Sequence, residues 1–375
     1  MRRAALPAIG ILGLTRIAGA EPFTVTMESG AEADTNIERI ETVDGGTSQP
    51  IMAPAGRAGA RIDHRDHLLG GSYLARLSGL ARMVVTPQRE SGNMTENVML
   101  YAGEGRWLRP IGSRPLAVGI HLTAADSFAI TGGIGARTFR HLGGDALLVL
   151  GRGDDHHLTL ELGGRDFRYK PDHVFDWRGP VANARLDILL WQAPGRTESL
   201  ELATSLRFEA RRYASTATAN GWPPGLDGFC PMATALRRND RYQRASVELS
   251  WTGDVVATGG YQLTVIDSNS YYQSLTRQRI TASLTMELPG KLLATATATL
   301  QLDQYPDGIP LENDPQRQEL TNLEDESRSS LQILLARKLS TAWSVEARGA
   351  AWRDFATGAT SFRRELIYAG VVYSR

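Results

Sequence analysis

Leu200 to Tyr213 reads LELATSLRFEARRY. Taken every second residue, Leu200, Leu202, Thr204, Leu206, Phe208 and Ala210 form one face, and Glu201, Ala203, Ser205, Arg207, Glu209 and Arg211 the other. A period of two is the signature of a β-strand, because successive side chains point to opposite faces. Helical spacing would scatter Arg207, Glu209 and Arg211 around a cylinder. One face suits apolar surroundings; the other carries ionised groups of both signs.

The alternation recurs along most of the 375 residues. It predicts an all-β chain, a single antiparallel transmembrane β-barrel of about 16 strands (roughly 14–18) running from Phe23–Asp34 to Phe362–Tyr373. The strand Val181–Gln192 sets Ala182, Ala184, Leu186, Ile188 and Leu190 against Asn183, Arg185 and Asp187, and Arg241–Trp251 repeats the pattern. A bulge is expected at Gly163-Gly164, where two glycines interrupt a strand. Two long irregular segments stand out: Ser215–Asp240, containing GWPPGLDGFCP, and the acidic Asp307–Glu326.

The connections alternate in length. Turns such as TGD, PGK and LST are short, and those between them are longer. Outer-membrane barrels have this asymmetry, with short periplasmic turns and longer outer loops, and an even strand count puts both termini on the periplasmic side. Trp107, Trp191, Trp251 and Trp343 lie within a few residues of short turns, and Tyr373 at the same level. Phe128, Trp177, Tyr213, Tyr242, Trp352 and Phe355 lie near the other strand ends. Two aromatic rows are expected as interfacial girdles.

Bulk properties exclude several other classes. Formal net charge is zero, which gives no polybasic surface for nucleic acid. Mean hydropathy is −0.24, and no run approaches the roughly 18 apolar residues of a spanning helix. A barrel escapes that test because its alternating strands average to neutral hydropathy. The single cysteine, Cys230, allows no internal disulfide and no paired-cysteine metal site. At the N-terminus, Arg2 and Arg3, the apolar Ala4–Leu14 and Ala18-Gly19-Ala20 have the layout of a signal peptide over residues 1–20, leaving 21–375 as the barrel.

With its signal peptide, its first strand TVTMESGAEADTN and its late hairpin LLARKLSTAWSVEARGAAWRDF, the chain resembles bacterial outer-membrane β-barrel proteins from Glu21 to Arg375. Gly370 and Tyr373 fit the last-strand assembly signal of that class, with Ser374 and Arg375 following. The resemblance implies outer-membrane lipid and lipopolysaccharide, and the barrel assembly machinery, as partners. It selects no particular family, and porins and export conduits both fall within it.

Few residues suggest chemistry. His64 and His67 flank Arg65-Asp66, and His156 and His157 follow Asp154-Asp155, on expected periplasmic turns. Together they have the residue types of a metal site, but solvated polar turns, which favour such residues anyway, account for them better, and no metal site is assigned. The acidic loop with Glu312, Asp314, Glu319, Glu324, Asp325 and Glu326 lacks the ligand spacing of a calcium loop. No serine and histidine share a hydrolase motif, and His121 reads as a polar lumen or rim residue. No catalytic residue and no cofactor are assigned.

Function would be written on the inward face. Parity assigns it Glu161, Arg185, Asp187, Arg207, Glu209, Arg211, Glu248, Glu287, Glu346 and Arg348, with Glu248 approaching the Arg207 ladder if the register matches. Mixed charge fits either a wet pore or a barrel filled by ion pairs. Three functions remain open: a passive or gated porin-like channel for small solutes, the outer-membrane exit of a polysaccharide or other polymer, and a closed structural or display barrel. The Ser215–Asp240 segment is long enough to fold inward as a plug or to cover the mouth.

Overall fold

Sixteen antiparallel strands pair with their sequence neighbours and close into one barrel. The computed structural model describes residues 23–37, 42–43, 50–85, 97–130, 138–152, 156–194, 197–221, 230–307, 328–354 and 360–375. The barrel strands are β1 (Phe23–Asp34), β2 (Ala53–Leu68), β3 (Gly71–Val84), β4 (Val98–Pro110), β5 (Leu116–Ala129), β6 (Phe139–Arg152), β7 (His156–Tyr169) and β8 (Trp177–Gln192). They continue as β9 (Ser199–Asn220), β10 (Pro231–Thr252), β11 (Val255–Ser268), β12 (Leu275–Leu288), β13 (Leu292–Gln304), β14 (Ser329–Lys338), β15 (Trp343–Arg353) and β16 (Arg363–Ser374). A two-residue pairing of Thr42–Val43 with Thr360–Ser361 lies outside the ring.

Closure joins β1 to β16, from Thr26↔Ser374 to Asp34↔Leu366. A closed ring leaves no strand edge open for pairing with another chain. The start of β1 and the end of β16 lie at the end of the short turns. There Leu69 and Gly70 alone connect Leu68 to its partner Gly71, both with positive φ, the backbone of a type I′ hairpin.

Along the strands the outer wall is apolar. Leu206 is 65% exposed and Leu162 66%, flanked inward by polar or small side chains. Leu200–Tyr213 keeps its two faces in β9: Leu206 and Phe208 outside, Arg207, Glu209 and Arg211 inside.

Several expectations are corrected. The register runs without interruption through Gly144↔Gly164 and Asp145↔Gly163, so no bulge occurs there. The irregularities fall instead at Leu200/Glu201 and beyond Arg212. Much of the segment expected to be irregular from Ser215 to Asp240 is strand: β9 runs to Asn220 and β10 starts at Pro231. A hairpin needs no apolar face where it projects beyond the apolar band. That explains why the polar run STATAN and the run PMATALRRND gave no strand signal. Only 222–229, with Trp222 and Phe229, lie outside the described residues. So do residues 1–20, where a signal peptide is expected, the acidic run from Glu312 to Glu326, and Phe355.

The expected outer aromatic row is corrected too. Phe128 is exposed on the outer wall, but Tyr213, Tyr242 and Trp352 are buried. They share the parity of inward charges, and arginines lie on their rings: Arg238 is 3.9 Å from the Tyr213 centroid and Arg364 4.7 Å from that of Trp352. Trp177 likewise faces inward beneath Arg211. The row by the short turns lies on the outer wall, with Trp191 stacked on Trp251 at 5.5 Å, Trp343 against Tyr373 at 5.1 Å, and Trp107 donating to the Leu68 carbonyl at 2.9 Å.

Candidate functional site: the inner wall

Strand parity sends every second side chain of all sixteen strands inward, and the resulting wall is largely ionised. On six of the sixteen strands it forms a belt of linked ionisable groups. Arg61 and Arg76 both hold Asp63 at 2.7 Å. Arg76 also reaches Glu104 at 3.1 Å. His121 lies 3.4 Å from Glu104 and 3.5 Å from Asp145, and Arg165 forks onto both Asp145 oxygens at 2.7 Å. The belt thus passes from β2 through β7 with one link per strand. Glycines make room for its last link: a Cβ at Gly163 would fall 2.3 Å from Asp145 Oδ1, and one at Gly143 2.8 Å from Arg165 Cδ.

His121, Asp145 and Glu161 each bring a ligand atom within 4.8 Å of the others. A histidine and two carboxylates are a donor set that suits a divalent cation. Here the Arg165 fork already serves both Asp145 oxygens, so the geometry needs no ion to account for the cluster. The histidines near the short turns do not meet. They stand in strands, with His64 bonded to Tyr73 Oη at 3.0 Å and packed on Phe23 on the outer wall. His157 faces inward, 3.2 Å from Asp187.

The remaining residues expected on the inner face sort as follows. Glu161 accepts from Asn183 Nδ2 at 3.0 Å. Arg185 pairs with Asp187 at 2.8 Å. Glu209, 3% exposed, is held between Arg207 and Arg211 at 2.7 and 2.8 Å. The Arg211 guanidinium lies between the rings of Trp177 and Tyr242, 4.5 and 4.2 Å from their centroids. Arg348 lies over Tyr368 at 5.5 Å, two residues from the half-buried Glu346. Glu287 is exposed at the short-turn end of β12, next to the connection to β13. Glu248 does not approach the Arg207 ladder. The register sets Glu248 opposite Ala203 and Gly260, while Arg207 faces Arg244.

That register creates a second sector. One cross-strand row reads Arg185, Ser205, Ser246, Gln262, Arg279. Its centre is short, and Ser205 and Ser246 hydroxyls bond at 2.7 Å. Below it Ala203, Glu248 and Gly260 floor a shallow recess between Arg185 and Arg279. Parity alone could have found Asp145, Arg165, Arg244 and Arg279. Nothing short of register could have placed Glu248 away from Arg207.

No protein-family model matches the chain, and no curated protein matches it in sequence. Solved structures do align along nearly its whole length. A loop-deleted OmpT, an outer-membrane protein of Vibrio cholerae, aligns at 11% identity with TM-score 0.41 over 95% of this chain and 100% of its own. A bacterial polysaccharide outer-membrane secretin aligns at 9% with TM-score 0.45, over 95% and 99%. A mutant porin of Rhodopseudomonas blastica aligns at 10% with TM-score 0.40, over 94% and 99%. These are outer-membrane β-barrels. The fold assignment for this chain rests on its own sixteen paired strands.

Proposed function

We propose that this chain is an outer-membrane β-barrel whose bore passes small solutes. The observation that supports the reading is the contrast between its two walls. The outer wall is apolar with an aromatic row at one end, and the inner wall is ionised yet still wet: Arg76, Arg185 and Arg207 keep 28–30% side-chain exposure despite their ion pairs. Such a wall in a filled barrel would be dry. A ring of sixteen strands is wide enough for an aqueous channel. Among the described residues each strand packs on its neighbours around the ring, and the 3₁₀ turn His173–Phe175 packs on β7 and β9. Outer-membrane location, delivery by the signal peptide and insertion by the barrel assembly machinery belong to the same proposal. If Ala18-Gly19-Ala20 is the cleavage site, N-terminal sequencing of envelope protein returns a start at or near Glu21; a start at Met1 refutes the export reading.

The selectivity test is Arg207→Glu. Rings of fixed charge bias ion passage, and this change moves the wall by two negative units where Arg207 faces Arg244. Arg211 still neutralises Glu209, so the barrel is expected to refold. The reversal potential in a salt gradient should move toward cation preference. An unchanged reversal potential in a conducting variant would mean that this wall does not meet the permeating ions.

A further inference from the structure

Five neighbouring strands change character at one level of the outer wall. Moving away from the short turns, the outward positions of β9 are Leu202, Thr204, Leu206, Phe208 and Ala210, and then Arg212. On β8 they are Ile188, Leu186, Ala184, Ala182 and Pro180, and then Arg178. β6 ends its run at Arg140, β10 reaches Arg241, and β7 reaches Asp166 and then Arg168. The register makes these arginines neighbours: Arg140 stands opposite Arg168, and Arg178 opposite Arg212.

Like charges directly opposite on paired strands repel. Arg140 and Arg168 are relieved in part by Asp126 and Asp166, at 2.9 and 3.2 Å, although Asp126 is shared with Lys170. Arg241 stands opposite Asp267. Arg178 stands opposite Asp166, which is bonded to Arg168. Arg178 and Arg212 are both exposed, and no salt bridge or side-chain hydrogen bond joins either to a carboxylate among the described residues. Across the barrel one more exposed pair, Arg353 opposite Arg363, stands at this level, with Arg363 held by Glu365 at 2.6 Å. The run of five arginine-bearing strands is found only on β6–β10 among the described residues. At the corresponding level β12 and β13 carry Gln278 and Gln304, and β3 and β4 carry Met83 and Met99.

Depth identifies the counter-charge. Arg212 lies twelve residues beyond Leu200, which pairs with Trp191 and Trp251 in the aromatic row. At about 3.3 Å per residue and a tilt of about 40°, that is about 30 Å along the barrel axis, just past the roughly 25 Å apolar band of such barrels. The arc therefore stands at headgroup level on the long-loop side. Arginine's planar fork suits bidentate phosphate binding.

We propose that the outer wall of β6–β10 at its long-loop end is a binding site for a phosphorylated lipid headgroup, held by Arg178 and Arg212 with Arg140, Arg168 and Arg241 around them. The site rests on the membrane-barrel reading but not on an open bore.

The test measures thermal unfolding of the refolded full-length barrel in phosphatidylcholine vesicles. Four arms are compared: vesicles alone, vesicles with inorganic phosphate in the buffer, vesicles doped with diphosphoryl lipid A, and vesicles doped with phosphatidylglycerol at equal charge. Lipid A is expected to raise the midpoint more than phosphatidylglycerol does. The double variant Arg178→Gln/Arg212→Gln should refold normally in phosphatidylcholine alone and lose most of that rise, while Arg353→Gln, outward on β15, keeps it. An equal rise with phosphatidylglycerol, or an undiminished rise in the double variant, overturns the site. A rise produced by inorganic phosphate alone overturns its assignment to lipid. Conductance is recorded on the same preparations, so a silent barrel that still responds to lipid A refutes the channel and leaves the lipid site standing.

Discussion

Replacing Asp34 by alanine should cost the refolded barrel about 3–5 kcal/mol, the usual penalty for stripping one partner from a buried ion pair. Asp34 and Arg364 are both fully buried, and the Arg364 Nε and Nη2 groups donate to Asp34 Oδ2 at 3.0 and 2.7 Å. Arg82 brings a second guanidinium to Asp34 and also holds Glu32. The backbone N–H of Asn36 donates to Asp34 Oδ1 at 3.0 Å. This cluster spans the seam where β1 meets β16, so its loss weakens the contact that closes the ring. Alanine removes the Asp34 carboxylate from the buried Arg364 beside Trp352, whereas Arg82 keeps Glu32. The double variant Asp34→Leu/Arg364→Met should recover most of the loss, because a whole buried pair can be exchanged for apolar groups at little cost. Urea titration of the three proteins in the same lipid reads both effects. A single variant within about 0.5 kcal/mol of the parent, the range of an ordinary surface change, would mean that the cluster does not secure the seam.

The second large effect concerns the outer wall. Leu206 lies six residues from Leu200, so roughly halfway up the apolar band, and is 65% exposed. Leu206→Arg should cost on the order of 2–4 kcal/mol, the penalty for arginine at the bilayer midplane. Leu249, two residues from Trp251, lies nearer the interface, and arginine there should cost less. Ala203 faces inward between Asp187 and Glu248, so Ala203→Arg enters a wet wall beside two carboxylates and should cost little. Refolding titrations into lipid vesicles rank the three. Equal costs at Leu206 and Ala203 would contradict a lipid-facing outer wall.

Alternation carried most of this fold. Phe23–Asp34 was legible to the residue, because apolar and polar side chains alternate along it except at Ser29-Gly30. β9 was legible only to Tyr213, since its last seven residues are held by backbone pairing above the apolar band, where no periodicity is required. The aromatic residues show the same limit. Trp251 shares parity with Leu249, whereas Trp191 has the parity of Arg185 and Asp187 and reaches the outer wall only through the register irregularity at Leu200/Glu201. Tyr213 and Tyr242 share parity with arginine and glutamate. Closeness to a strand end, without parity, put the latter pair on the wrong wall. Arg207, Glu209 and Arg211 were readable as one inner row because they lie on one strand. The belt from Asp63 to Arg165 joins residues about a hundred positions apart, and Glu248 misses Arg207 by the register of a single hairpin. Such pairings depend on which residues stand opposite, which alternation leaves open.

The most direct test of the membrane conduit is single-channel recording of the refolded full-length protein in planar bilayers. Discrete, salt-dependent conductance steps whose ion preference moves toward cations in Arg207→Glu are the expected result. Refolded, protease-resistant barrels that stay silent, together with an Arg207→Glu variant destabilised by several kcal/mol as an ion-filled core would require, would contradict it.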